Sequence, residues 1–342
     1  MILPGFGMAA QERLRASRAL VVGCGALGCA AIDLLARAGV GRLTLVDRDI
    51  VERSNLQRQS LYVEADAAAG VPKAEAAARR VRAIDPAIRV DACVEHLGPG
   101  DAEEFVRDAD VVVDGLDNYA TRYVLNDAAV SVGRAYVHAG AVGFRGTAMP
   151  VLAGVAGALG LPAADAPCLR CLFPEAPPAG AGETCDTAGV FGPLVAAVGA
   201  HAAALAIRLL ATGAEGVDRS LWSVDMERHR TVRVSLDGSA RTDCPCCGLR
   251  QFPFLSADDD RCTVLCGRNA VQVRPYREGA IDLARLRDRL AGVGDFVIRD
   301  GVLVGTIEGG LELSVFADAR AIVRGTTDLD VARGVYSRCI GE

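Results

Sequence analysis

Lysine is nearly absent from this chain. Of its 37 basic side chains, Lys73 is the only lysine. An ammonium is a compact charge on a flexible stem, and a guanidinium is a planar fork. One retained ammonium among arginines therefore marks Lys73 as a candidate chemical tool. An excess of positive charge is also missing. The formal net charge is −6, so no broad basic surface is implied and no nucleic-acid partner is expected. An acidic protein partner meeting a local arginine patch remains compatible with that balance.

The first residues lack the basic n-region and apolar h-region of a secretory leader, which leads to an expected cytoplasmic location. Residues 187–207 carry no charge unless His201 is protonated. That run is mostly alanine and glycine, contains Pro193 and lacks the Leu/Ile density of a membrane span. It is expected to be a helix buried against a sheet, with no membrane role. Residues 146–164 fail as a span sooner, because Pro150, Pro162 and several glycines interrupt them. The 12 cysteines do not form a secreted disulfide pattern. Two pairs have C-x-x-C spacing, and several others stand alone in apolar segments, as buried thiols do in a reducing compartment.

What is present is a globular composition, 51% hydrophobic and 23% charged over 342 residues. It suits one large α/β domain and a small one. The chain is organised around residues 19–73. A short apolar strand, Ala19-Leu20-Val21-Val22, runs into Gly23-Cys24-Gly25-Ala26-Leu27-Gly28. A helix follows with Leu27, Ala30, Ala31, Leu34, Leu35 and Ala38 on one face. A second strand, Leu43 to Val46, ends in Asp47. Strand, G-x-G-x-x-G, helix, strand and terminal acid form the nucleotide-binding half of a doubly wound, mostly parallel sheet. The helix N-terminus offers free N–H groups to phosphate, and Asp47 is placed to accept hydrogen bonds from ribose hydroxyls.

Beyond Asp47 come Ser54-Asn55-Leu56-Gln57-Arg58-Gln59 and then Gly70-Val71-Pro72-Lys73. A dehydrogenase needs no Arg and Lys there, since its diphosphate is bound by the turn. A reaction that builds negative charge on a triphosphate does need them. Residues 109–113 read as a buried strand leading to Asp114-Gly115-Leu116-Asp117-Asn118. Asp117 lies beyond the carboxyl end of a parallel strand, where such sheets bind ligands, and an acid there can hold Mg²⁺ against phosphates. It can also cap the helix that starts at Tyr119. A further helix is read at residues 122–132. Asp114 takes a structural role first, and His138 reads as a core or supporting histidine.

Cys168, Cys171, Cys244 and Cys247 form two distant C-x-x-C knuckles, which together supply the four tetrahedral ligands of a structural Zn²⁺. Cys246 reads as a bystander, although it could replace Cys247. Residues 174–182 suit a mobile crossover that delivers Cys185 to a helix start, where a thiol becomes more acidic and more nucleophilic. Residues 1–248 read as the ATP-binding domain and 249–261 as a linker. Residues 262–342 read as a small α+β domain, with Cys262 and Cys266 in core packing.

The ordered motifs G-C-G-A-L-G, L-V-D-R-D, S-N-L-Q-R-Q, G-V-P-K, G-L-D-N, C-L-R-C, T-C-D-T-A-G-V-F-G-P and C-P-C-C-G resemble those of the ThiF/MoeB family, bacterial relatives of ubiquitin-activating enzymes. The resemblance covers residues 3–248. It implies ATP-dependent adenylation of the C-terminal glycine of a small ubiquitin-fold sulfur carrier of the ThiS/MoaD kind, ending in Gly-Gly. It further implies a sulfur donor protein and a homodimer. The implied nucleotide set is Gly23, Gly25, Ala26, Gly28, Asp47, Ser54, Asn55, Leu56, Gln57, Arg58, Lys73 and Asp117. Arg58, Lys73 and Asp117 would be catalytic, Asp117 through magnesium, and Cys185 would handle sulfur or form a thioester. The family also implies an N-terminal Arg-bearing arm, and this sequence begins where that arm should end. That supports an alternative, a non-catalytic carrier-binding scaffold, against which Arg58, Lys73 and Asp117 count. An NAD-dependent oxidoreductase is disfavoured because no substrate-side acid–base set appears.

Overall fold

Strand β1 (Arg18–Val22) is buried along Ala19 to Val22, so it needs neighbours on both edges and cover on both faces. In the computed structural model it pairs in parallel with β2 (Arg42–Val46) and with β4 (Val111–Asp114). With β3 (Arg89–Cys93), β5 (Ala135–Val142), β6 (Arg145–Val151), β7 (Ser220–Asp225) and β8 (Arg230–Ser235) they form one sheet ordered β3-β2-β1-β4-β5-β6-β7-β8. The pairs from β3 to β5 are parallel. Those from β5 to β8 are antiparallel. The described residues are 3, 6–175, 188–256, 262–265, 269–275, 280–299, 301–307 and 309–341.

Helices lie along the chain as α1 (Met8–Ala16), α2 (Ala26–Arg37), α3 (Glu64–Ala68), α4 (Lys73–Ile84), α5 (Ala102–Arg107), α6 (Tyr119–Val132), α7 (Leu169–Leu172) and α8 (Gly192–Thr212). The sequence reading of separate helices around Tyr119 and Arg122 is corrected here to the single helix α6. Helix α8 is long and apolar enough to cross a membrane, yet half of its most apolar window is buried. It packs on α2, β5 and β6. A Cβ on Gly199 would stand 2.7 Å from the Leu27 carbonyl oxygen, so a small residue sets that close helix approach.

The chain divides into two units. The larger comprises Met1–Asp117, Thr121–Pro174 and Phe191–Ser256, and the smaller Asn118–Ala120, Glu175–Val190 and Ala257–Glu342. Residues 249–256, read from sequence as linker, belong to the larger unit: Phe254 is buried and its ring stacks on Tyr123 at 4.9 Å.

The smaller unit is a six-stranded antiparallel sheet ordered β11-β12-β13-β14-β10-β9. Its strands are β9 (Cys262–Leu265), β10 (Ala270–Val273), β11 (Gly294–Arg299), β12 (Val302–Ile307), β13 (Glu312–Phe316) and β14 (Ala321–Arg324). Helices α9 (Leu283–Arg289) and α10 (Leu329–Cys339) each begin on an aspartate, Asp282 and Asp328, whose carboxylate accepts two backbone N–H groups. Leu286, Leu303, Leu313, Val323, Val335 and Tyr336 form its core, and Cys262 and Cys339 lie within it as apolar filler. Cys266 lies outside the described residues.

Candidate active site

The carboxyl ends of β1, β2 and β4 meet at the glycine turn. Gly23 has φ 88°, a left-handed conformation that a side chain would strain. A Cβ on Gly28 would lie 1.9 Å from the Gly23 carbonyl oxygen. Packing therefore explains these two glycines. It does not explain Gly25, whose Cβ would meet nothing nearer than the Gly115 carbonyl oxygen at 3.9 Å and Gln59 Nε2 at 4.0 Å. Gly25 is also the N-cap of α2, which has no side-chain cap and no acid in its first turn. Its leading N–H groups are left for an anion, and the missing Cβ lets a phosphate approach them. Gln59 is 4% exposed, and its Oε1 has no hydrogen-bond partner among the described residues.

Asp47 follows β2. Its Oδ2 accepts from the Cys24 N–H at 2.7 Å and its Oδ1 from the Asp49 N–H at 2.8 Å. Each oxygen keeps a lone pair for a ribose hydroxyl. Burial, with Asp49 nearby, raises its pKa, and Lys73 and the two N–H donors oppose that rise. Lys73 opens α4 and is 8% exposed. Its Nζ lies 2.9 Å from Asp49 Oδ2, and its N–H donates to the Asp49 carbonyl at 2.8 Å. Burial alone would discharge the amine. Asp47 and Asp49 outweigh it, with Asp117 adding to them, and the pKa is raised. Lys73 is thus a buried permanent cation, and its field reaches the exposed carboxylate of Asp117. Tyr62 ties the two halves of the site together. Its hydroxyl donates to the Cys24 carbonyl at 2.6 Å and lies 3.2 Å from the Lys73 carbonyl.

Arg58 sits in the adjoining turn, with Nη1 donating to the Ser54 carbonyl at 3.1 Å. Asn55 is buried and structural here. Its Oδ1 accepts from the Glu52 N–H at 3.2 Å, and its own carbonyl accepts from the N–H groups of Arg58 and Gln59. Cys24 and Cys29 are fully buried, and burial pushes their thiols up, Cys29 to about 12, which disfavours the thiolate that a nucleophile needs. Cys185 lies outside the described residues. Asp49, Tyr62 and Arg122 were missed from sequence. Asp49 had a signal, as the second acid of Asp47-Arg48-Asp49, but nothing in the sequence paired it with Lys73.

Behind the Asp117 loop, Asp114 is 1% exposed. Its Oδ2 accepts from Arg122 Nε at 2.8 Å, Tyr136 Oη at 2.7 Å and His138 Nδ1 at 2.9 Å, and its Oδ1 accepts from the Leu116 N–H at 2.9 Å. Burial would raise its pKa, but Arg122, His138 and Tyr136 lower it overall. Burial lowers the pKa of His138, leaving it neutral with Nδ1–H directed at the carboxylate.

The thiols of Cys168, Cys171, Cys244 and Cys247 lie within 4.8 Å of one another. Four thiols from two turns at that spacing fit a tetrahedral zinc ion. Cys246 lies aside, its thiol 3.3 Å from Asn126 Nδ2. Asn126 Oδ1 accepts from the Leu169 N–H at 2.9 Å, so one amide braces both knuckles. The structure selects Cys247 over Cys246 for the cluster.

The sequence matches the ThiF family over residues 1–246. It is 38% identical over 336 residues to the sulfur carrier protein ThiS adenylyltransferase of Bacillus subtilis, covering 98% of this chain and 96% of that one. The likeness therefore runs past residue 248 and includes the smaller unit. It is 40% identical over 248 residues to the SAMP-activating enzyme E1 of Haloferax volcanii, covering 72% of this chain and 86% of that one. Among solved structures, E. coli MccB shares the fold with a TM-score of 0.60 at 20% identity, over 71% of this chain and 68% of that one. The chain belongs to the ThiF family and is an adenylyltransferase.

Proposed function

We propose that this chain uses Mg²⁺-ATP to adenylate the C-terminal glycine of a small ubiquitin-fold sulfur carrier. The carrying observation is Lys73, a buried cation held charged by Asp47 and Asp49 within electrostatic reach of Asp117. It stands beside an uncapped helix N-terminus with room over Gly25. A carrier carboxylate oxygen attacks the α-phosphorus of ATP, the bond to the β-phosphate oxygen breaks, and pyrophosphate leaves. Lys73 and Arg58 offset the charge that builds on the phosphates, and Asp47 accepts from the ribose. Asp117 would hold Mg²⁺, which neutralises phosphate charge when bound. The name and identity of the relative from Bacillus subtilis support a sulfur carrier as the substrate class.

A later step would belong to Cys185: its thiolate would displace AMP from the carrier adenylate to give a thioester, from which a donor's sulfide takes the acyl group as a thiocarboxylate. If a sulfur donor has first loaded Cys185 as a persulfide, the terminal sulfur would displace AMP to give an acyl disulfide, which a further thiol cleaves to the thiocarboxylate. Zinc held by Cys168, Cys171, Cys244 and Cys247 would be structural, and the working form would be a cytoplasmic homodimer. The test is carrier-dependent ATP–pyrophosphate exchange with a carrier ending in Gly-Gly. Exchange abolished by Lys73→Ala but kept by Cys185→Ala supports the order of steps. Carrier binding without exchange in the wild type would replace the enzyme reading with the scaffold one.

A further inference from the structure

We propose that Arg122 is a positioning residue that fixes Asp117, working through a clamp on the backbone of Leu116. This rests on the adenylation reading only for the role of Asp117.

The clamp is built from α6 and two strands. Arg122 is 6% exposed. Besides binding Asp114, its Nη2 donates to the Leu116 carbonyl at 2.6 Å and to the Ala139 carbonyl at 3.1 Å. Leu116 is thereby held at both ends of one residue, its N–H by Asp114 and its C=O by Arg122. The preceding residue is fixed as well. The Gly115 N–H donates to the Val22 carbonyl at 2.8 Å, and a Cβ on Gly115 would lie 2.2 Å from the Gly23 carbonyl oxygen. The exposed Asp117 therefore leaves a backbone that is pinned to the glycine turn and to β4. A carboxylate that must meet phosphate-bound metal gains from such preorganisation.

A lysine at position 122 can keep a positive charge near Asp114, but a single ammonium cannot reproduce the planar fork that reaches Asp114, Leu116 and Ala139 together. Arg122→Lys should therefore fold and lose the clamp. Tyr136→Phe is the control, because Tyr136 touches Asp114 and makes no bond to Leu116 among the described residues.

Two measurements are made on each purified full-length protein. Amide hydrogen exchange follows the peptide spanning residues 115–117. Mn²⁺ titration with ATP, read by electron paramagnetic resonance, follows metal–nucleotide affinity. In Arg122→Lys, loop exchange should speed up and Mn²⁺ affinity in the presence of ATP should fall about tenfold, the scale seen when a ligand's supporting contacts are lost. Tyr136→Phe should leave both near wild type. Unchanged loop exchange in a folded Arg122→Lys overturns the clamp. Faster exchange with unchanged Mn²⁺ affinity overturns the link to Asp117, and equal shifts in Tyr136→Phe overturn the special place of Arg122. A wild type that binds no Mn²⁺-ATP sinks the adenylation reading, and loop exchange still decides the clamp.

Discussion

Asp47 and Asp114 stand at the carboxyl ends of the two strands that flank β1, and their acidities move in opposite directions. Asp47 receives two backbone N–H groups and shares Lys73 with Asp49, which leaves its burial only partly offset. Asp114 receives an arginine, a tyrosine, a histidine and a backbone N–H, and its charge is more than offset. The same residue type at matching ends of neighbouring strands thus does two jobs. Where the carboxylate keeps spare lone pairs beside a cation and a free helix end, it suits a ligand. Where four donors, arginine, tyrosine and histidine among them, converge on the carboxylate, it holds backbone in place.

The sharpest way to break this contrast is at Lys73. Lys73→Ala should lower carrier-dependent ATP–pyrophosphate exchange by about 100- to 1000-fold, the cost of one preorganised charge-stabilising group. Exchange within a few-fold of wild type would remove the ligand-facing half of the comparison. Stability sharpens the other half. Asp114→Asn leaves Arg122 buried without its counter-charge and should cost about 3 kcal/mol in a urea titration. Asp47→Asn should cost less than half of that, on the order of 1 kcal/mol, because the charge it removes was already disfavoured. Equal losses would mean that the two carboxylates are energetically alike.

The pH dependence carries the same signs. Asp114 has a lowered pKa, so its stabilisation is present above the ordinary 3.8 and is lost as pH falls through its folded value. Asp47 has a raised pKa, so its contribution is present below 3.8 and is lost as pH rises through its folded value. Neutral His138 adds a loss as pH falls below 6.5, where the unfolded chain takes up a proton first. Acid unfolding of Asp114→Asn should therefore be less steep below pH 4 than that of the wild type, whereas Asp47→Asn should not flatten it. Smaller again is the cysteine cluster's internal contrast. Cys168→Ser should release about one zinc per chain in metal analysis, while Cys246→Ala should keep the zinc and cost about 1 kcal/mol or less. Metal lost from Cys246→Ala would reassign the ligand set.

Much of the nucleotide half was legible, because Gly23, Gly28 and Asp47 sit in a local strand–turn–helix–strand pattern that needs no distant partner. The cysteine pairs were legible for the same reason, each knuckle being local. The Asp114 network was not. Its members come from β4, α6 and β5, and sequence spacing does not show that Arg122, Tyr136 and His138 share one carboxylate. Strands β6 to β8 were missed for physical causes too. Pro150 reads as a breaker but sits at the end of β6, opposite Val137. Strand β8 has every residue exposed, so its Arg-Thr-Val-Arg-Val-Ser alternation marks no buried face. Phe254 looked like part of a polar linker until Tyr123 and the Asp127 carboxylate gave it a seat.

The ion pair of Lys73 and Asp49 has a consequence for amine chemistry. Acyl-adenylates are electrophiles that acylate free amines, and lysines on an enzyme's own surface are ready targets. This chain offers one side-chain amine, with 10% of its surface accessible, neutralised by Asp49 at 2.9 Å and kept protonated. A protonated amine has no lone pair to attack with, so this amine is a poor target for acylation. The arginines around it are poor nucleophiles at neutral pH because their guanidinium stays charged. On the adenylation reading, the protein's only side-chain amine is thereby kept from becoming a substrate of its own activated product.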